Sequence, residues 1–166
     1  MSNLGNLGNV LIRSDLNVPI KNGVITDNFR IIKSAEIVEK IFKKSKTITF
    51  TSHMGRPEGK DLNLSLRPVA KSMEDILGKK VHFIDEVYGE KVEKQIEKSE
   101  FKIFLLENLR FEKGEIGNDH NFSKQITEPF NSYIFDAFGA AHREHASVVS
   151  FGENLNSFQG PLMDKE

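Results

Sequence analysis

The sequence contains no cysteine, which excludes disulfides and thiol chemistry and fits a reducing compartment. No apolar run approaches the ~20 residues that a membrane-spanning helix needs. The first residues, Met1-Ser2-Asn3-Leu4-Gly5, lack the charged-then-apolar pattern of a secretory signal. An excess of one charge is missing too: the formal net charge is −1 over 166 residues, so no global field favours nucleic acid or an anionic membrane. No G-x-G-x-x-G follows the first strand-like run and no G-x-x-x-x-G-K-[ST] occurs anywhere, so the chain carries neither a dinucleotide fingerprint nor a P-loop. The expectation is a soluble cytoplasmic domain, large enough for one real core.

Arginine is scarce, and its placement is informative. The 23 basic residues divide into 17 Lys and 6 Arg. The lysines cluster in helix-like stretches such as Lys40-Ile41-Phe42-Lys43-Lys44, whereas Arg13, Arg30, Arg56, Arg67, Arg110 and Arg143 sit mostly at strand ends or in loops. Lysine is a flexible solubilising cation; arginine presents a rigid planar fork suited to phosphate and carboxylate. The sorting points to an oxyanion.

The stretch Ile48-Thr49-Phe50-Thr51-Ser52-His53-Met54-Gly55-Arg56-Pro57 sets the pattern. A β-branched and aromatic run ends, and Ser, His, Gly and Arg follow on the loop beyond it. Ligands of open α/β sheets bind outside the carboxyl ends of the strands. Val10 to Arg13 is a similar run and ends in Asp15, Asn17 and Pro19, which suit either turn chemistry or contact with a ligand hydroxyl. Lys21-Asn22-Gly23 reads as a tight turn, and Thr26-Asp27-Asn28 offers caps for a helix from Phe29 to Lys43, with Arg30 in its first turn against the helix dipole. A strand is expected at 46–51, a helix from Leu66 ending at Gly78, a strand over Val81–Ile84, and an amphipathic helix from Val87 to Lys98. Ile103–Leu106 is a strand leading to Arg110, Gly114 to Asn118 a loop, and 119–130 a helix capped by Asn118. Ser132–Phe135 is the last expected strand, followed by Asp136 to His145; the tail from Phe151 reads as irregular. Two histidines, His142 and His145, make a weak metal reading without a third ligand. The alternation predicts an α/β fold, a Rossmann-like three-layer αβα domain with a mainly parallel sheet.

Five segments in order resemble the N-terminal domain of phosphoglycerate kinase. They are Arg13-Ser14-Asp15-Leu16-Asn17-Val18-Pro19, Ser52-His53-Met54-Gly55-Arg56-Pro57, Leu105-Leu106-Glu107-Asn108-Leu109-Arg110-Phe111, Asp136-Ala137-Phe138-Gly139-Ala140-Ala141-His142-Arg143 and Gly160-Pro161-Leu162-Met163-Asp164-Lys165-Glu166. The resemblance implies that residues 1–166 are the substrate domain, which binds 3-phosphoglycerate or 1,3-bisphosphoglycerate. It implies that Asp15 and Asn17 orient the glycerate, that Arg30, His53, Arg56, Arg110 and Arg143 bind its charged groups, and that Leu16, Met54 and Gly55 complete the site. Arg30 is then the catalytic arginine, stabilising the phosphoryl group in flight. No nucleophilic side chain is needed, because phosphoryl transfer depends on positioning and electrostatics.

The resemblance also implies a monomeric enzyme with a second domain that binds Mg-ATP or Mg-ADP, joined by a helix just past the last segment. The sequence stops at Glu166, so no nucleotide or other cofactor is expected on this chain. It is expected to bind 3-phosphoglycerate weakly, to transfer no phosphate alone, and to leave an apolar surface uncovered. Ser14, Phe135, Ala140 and Pro161 depart from the family pattern, and Phe135 is expected to alter loop packing near Arg143. The alternatives are a stand-alone module that binds small phosphates or carboxylates without kinase activity, and a degenerate remnant with no ligand.

Overall fold

A computed structural model describes residues 4–164. Strand β1 (Gly8–Ser14) leads into a small hairpin, β2 (Ile20–Lys21) with β3 (Val24–Ile25), whose turn uses Asn22 and Gly23 at φ 53° and 75°. Two successive positive φ angles are what a tight two-residue hairpin demands. The chain continues through α1 (Phe29–Ile41), β4 (Ser45–Thr51), α2 (Arg67–Leu77), β5 (Val81–Ile84), α3 (Glu90–Lys98) and β6 (Ile103–Leu106). It ends with α4 (Lys113–Ile116), α5 (His120–Thr127), β7 (Ser132–Asp136), α6 (Ala146–Val149) and β8 (Asn156–Gln159).

Among the described residues, six strands form one parallel sheet in the order β5-β6-β4-β1-β7-β8. The α/β, three-layer expectation holds. Alternate side chains divide the core between the two faces. Val10, Ile12, Ile48, Phe50 and Ile134 pack with Ile31, Val38, Val69 and Met73 of α1 and α2. Leu11, Phe104, Tyr133 and Phe135 pack with Val92, Ile96, Phe122 and Ile126 of α3 and α5. Burial on both faces explains why the central strands read as continuous apolar runs. Chain order reverses around β1, with β4 on one side and β7 on the other, and ligands of such sheets bind at that reversal, beyond the carboxyl ends of the strands.

Several local expectations need correction. Asn28 makes no side-chain cap; Asp27 instead accepts from the Phe29 N–H at 2.9 Å. Helix α3 begins at Glu90 and not at Val87, because Gly89 takes φ 106° and Val87 is drawn into the core. The supposed loop after Gly114 contains the single turn α4. Asp119, not Asn118, caps α5 by accepting from Phe122 N–H at 2.9 Å; Asn118 adopts φ 48° after α4. Helix α5 stops at Thr127; Glu128 keeps helical angles, but Pro129 has no N–H with which to continue the helical hydrogen bonds. The tail is not wholly irregular: β8 joins the edge of the sheet beside β7. The last two residues of the fifth segment, Lys165 and Glu166, lie outside the described residues.

Candidate functional site

The loops after β1, β4, β6 and β7 meet at one end of the sheet. After β1, Leu16 is fully buried and its N–H donates to Ser52 Oγ at 2.9 Å, fastening this loop to the one after β4. Asp15 Oδ1 accepts from the Asn17 N–H at 3.2 Å, which is the turn chemistry that Asp invites. The same oxygen pairs with Arg30 Nη1 at 3.3 Å, and Arg30 also donates to the Asn17 carbonyl at 2.7 Å. The turn reading of Asp15 therefore holds, and its carboxylate is also engaged by Arg30. No acid occupies the first turn of α1; Asp15, paired with Arg30, and Asp27, at the start of the helix, supply the negative charge near a cation placed against the helix dipole. Half of the Arg30 side chain remains exposed, and such a pair contributes under ~1 kcal/mol.

The loop after β4 is held from two sides. Gly55 takes φ 63°; its N–H donates to Asn17 Oδ1 at 3.2 Å, and its carbonyl accepts from Arg110 Nη1 at 2.7 Å. Met54 is buried and clasped by Asn108, whose amide accepts from Met54 N–H at 3.2 Å and donates to Met54 O at 2.8 Å. His53 is buried, with Nδ1 2.7 Å from Arg13 Nη2. Burial first, then the positive charges of Arg13, Arg110, Arg143 and His145, push its pKa down to about 2. Arg56 is exposed and makes no hydrogen bond or ion pair with the described residues.

Glu107 and Arg110 follow β6. Glu107 is buried and caps the start of α2 through Ser65 Oγ at 2.7 Å and Leu66 N–H at 2.9 Å. Arg110 is 7 % exposed, and its Nε is buried without a hydrogen-bond partner among the described residues. Burial lowers its pKa, and Arg143, Arg13 and Arg56 lower it further, against the opposing effect of Glu115. After β7, Arg143 is partly buried and lines a cavity of about 810 Å³ with Ile116, Gly117, Asn118, Glu144, His145 and Val149.

The predicted residues thus form two linked groups. Asp15, Asn17 and Arg30 make one; His53, Met54, Gly55 and Arg110 make the other; the Asn17–Gly55 bond joins them. Arg56 and Arg143 enter through their charge; among the described residues their side chains make no hydrogen bond. Sequence reasoning gave no role to Arg13, Ser52 or Asn108, the groups that hold the site in shape. Arg13 was visible as an arginine inside an apolar strand, a placement that requires buried partners. Among the described residues, no three His, Asp or Glu side chains are grouped so as to hold a metal, and no helix is long and apolar enough to cross a membrane. Exposed apolar side chains include Phe29 and Phe138, which line a second recess with Asp15 and Arg30. Phe135 packs in the core, and its carbonyl accepts from Gly160 N–H at 2.8 Å.

A family model described as phosphoglycerate kinase matches residues 6–166. The chain belongs to the phosphoglycerate kinase family. Phosphoglycerate kinase of Dictyoglomus turgidum is 42 % identical over 158 residues, which is 95 % of this chain and 40 % of that protein. Phosphoglycerate kinase of Wolbachia sp. subsp. Drosophila simulans is 43 % identical over 158 residues, with the same coverage. Among solved structures, phosphoglycerate kinase from Coxiella burnetii superposes with a TM-score of 0.83 at 35 % identity, covering 99 % of this chain and 42 % of its own. The Pyrococcus horikoshii OT3 enzyme gives 0.85 at 26 % identity, covering 98 % of this chain and 42 % of its own. The chain therefore spans about two fifths of the length of these phosphoglycerate kinases.

Proposed function

We propose that residues 1–166 form the substrate domain of a phosphoglycerate kinase, holding 3-phosphoglycerate or 1,3-bisphosphoglycerate at the loop ends of β1, β4, β6 and β7. The whole enzyme would move a phosphoryl group reversibly between 1,3-bisphosphoglycerate and ADP, giving 3-phosphoglycerate and ATP in glycolysis. One observation carries this reading: the Arg110 guanidinium is buried, has an Nε–H without a partner, and is surrounded by further cations. A buried donor without an acceptor costs about 1–3 kcal/mol, and like charges gathered around it add to that. A phosphate or carboxylate entering the site relieves the repulsion among the cations.

The division of labour follows from the free valences. Arg56 and Arg143 are not committed within the described residues, so their forks are available to the anionic groups of the ligand. Asp15 and Asn17 present oxygens suited to the glycerate hydroxyl. Leu16, Met54 and Gly55 shape the floor, and Gly55 brings a backbone close to the ligand. Arg30, half exposed at the start of α1, is free to swing from Asp15 toward a phosphoryl group in flight. Mg-ADP or Mg-ATP is a substrate that the family implies for the whole enzyme; no step through it is assigned to these residues. The chain alone is expected to bind the glycerate ligand weakly and to turn nothing over.

Calorimetric titration with 3-phosphoglycerate tests the reading. Because Arg56 bonds to nothing in the described chain, Arg56→Ala should leave thermal stability unchanged and weaken binding at least ~10-fold, the equivalent of one lost charge-assisted bond. Arg143→Ala should weaken binding comparably. Equal affinity in wild type and both variants would contradict the assignment, and ATP-dependent turnover by the 166-residue chain would contradict its inactivity alone.

A further inference from the structure

Arg13 stands in a buried polar chain behind the site. Its guanidinium is 1 % exposed. Nη2 lies 2.7 Å from His53 Nδ1, Nη1 donates to the Ser14 carbonyl at 2.5 Å, and Nε donates to Ser147 Oγ at 3.0 Å. Beyond Ser147 is the fully buried Glu115, which accepts from Ser147 N–H at 2.9 Å and from Ser147 Oγ at 2.5 Å. Tyr133 also donates its hydroxyl to the Ser147 carbonyl.

The direction of each bond is fixed by one fact: a guanidinium has only donors. Ser147 Oγ must accept from Arg13 and give its own proton to Glu115. His53 Nδ1 must likewise accept from Arg13, so it carries no proton. A neutral imidazole then has its single proton on Nε2. His53 Nε2 has no hydrogen-bond partner among the described residues, which leaves that N–H free for a ligand.

We propose that Arg13 is a positioning residue that locks His53 as the neutral Nε2–H tautomer, so that His53 meets a bound anion as a directional donor and not as a cation. The proposal rests on the reading of these loops as an oxyanion site and refines it. The arginines supply the charge, and His53 supplies geometry. Glu115, acting through the Ser147 hydroxyl, offsets the guanidinium charge that would otherwise be buried alone. The groups whose charge acts on His53 are Arg13, Arg110, Arg143 and His145, all of one sign when charged, and burial together with their charges holds the ring deprotonated.

The test is histidine ring nitrogen NMR on the ligand-free protein, with long-range proton–nitrogen correlations separating protonated from bare nitrogens. His53 is expected to show a bare Nδ1 and a protonated Nε2, unchanged from pH 7 to pH 5. A proton on Nδ1, a mixture of tautomers, or an imidazolium in that range would overturn the proposal, and this reading needs no variant. In Arg13→Met the ring should become a tautomer mixture and titrate closer to the ordinary histidine range, whereas Arg13→Lys should restore the single tautomer. A folded Arg13→Met that keeps a single Nε2–H form would also overturn the role of Arg13. Because no ligand is present, the result stands apart from whether 3-phosphoglycerate binds: a locked tautomer without binding would refute the substrate reading alone.

Discussion

The side chain of Asn108 and the backbone of Met54 bond to each other in both directions, N–H to Oδ1 at 3.2 Å and Nδ2 to O at 2.8 Å, across 54 residues of sequence. The same amide donates to Leu64 O at 2.9 Å and accepts from Arg110 N–H at 3.0 Å. One buried asparagine therefore holds three segments of the site in register. Asn108→Ala strands those backbone groups in the interior and should cost about 2–4 kcal/mol. Denaturant midpoints at unchanged slope would check it; a loss below about 0.5 kcal/mol, the size of an ordinary surface change, would show that the clasp is dispensable.

Gly55 has φ 63°, and an added Cβ would lie 2.9 Å from Leu64 Cδ2. Left-handed backbone costs an L-residue about 1–2 kcal/mol, and Leu64 must also yield. Gly55→Ala should lose that much stability and weaken 3-phosphoglycerate binding more than the stability loss explains, because Gly55 ties Asn17 to Arg110. Equal affinity in a folded Gly55→Ala would separate the turn from the site.

How far the sequence revealed this arrangement depended on burial. Ile103–Leu106 lies inside the sheet, fully buried, and its apolar run declares it; Val81–Ile84 lies at one edge but keeps Val81 and Ile84 buried. Strand β8, Asn156-Ser157-Phe158-Gln159, at the other edge, is mostly exposed, so it carries no such run. Helix α4 is a single turn containing a glycine, too short to show a period. In the site, the exposed arginines stood out by their placement in loops. The partners of Arg13 did not, since Ser147 and Glu115 are more than a hundred residues away and look like ordinary helix residues until the fold joins them.

Gly160 packs against Asp136. A Cβ at Gly160 would come within 2.1 Å of Asp136 Oδ1, the oxygen that accepts from Leu162 N–H at 2.8 Å. Gly160→Ala should push the tail off the end of β7, costing about 1–3 kcal/mol as an overpacking change. Hydrogen exchange at Leu162 should accelerate; unchanged protection there would mean that the tail is anchored elsewhere.

The pH dependence follows from His53. Its pKa falls from 6.5 to about 2 on folding, through burial and then neighbouring cations, so below pH 6.5 the unfolded chain takes up a proton that the folded chain refuses. Stability from this group is complete above pH 6.5 and drains as pH falls, by up to about 1.4 kcal/mol per unit. His145, also lowered chiefly by burial, acts in the same direction. Asp136 and Glu112, raised chiefly by burial, act oppositely nearer the carboxylate range. The slope between pH 6.5 and 5.5 should therefore flatten in His53→Gln. An unchanged slope in that variant would place the proton uptake elsewhere.

Backbone NMR during titration with 3-phosphoglycerate reads the proposed oxyanion half-site out residue by residue. Saturable shifts are expected in the loops after Asp15, Ser52, Glu107 and Asp136, and are expected to be lost in Arg56→Ala. Shifts no greater than those produced by sulfate at the same ionic strength, or spread evenly over the surface, would contradict it.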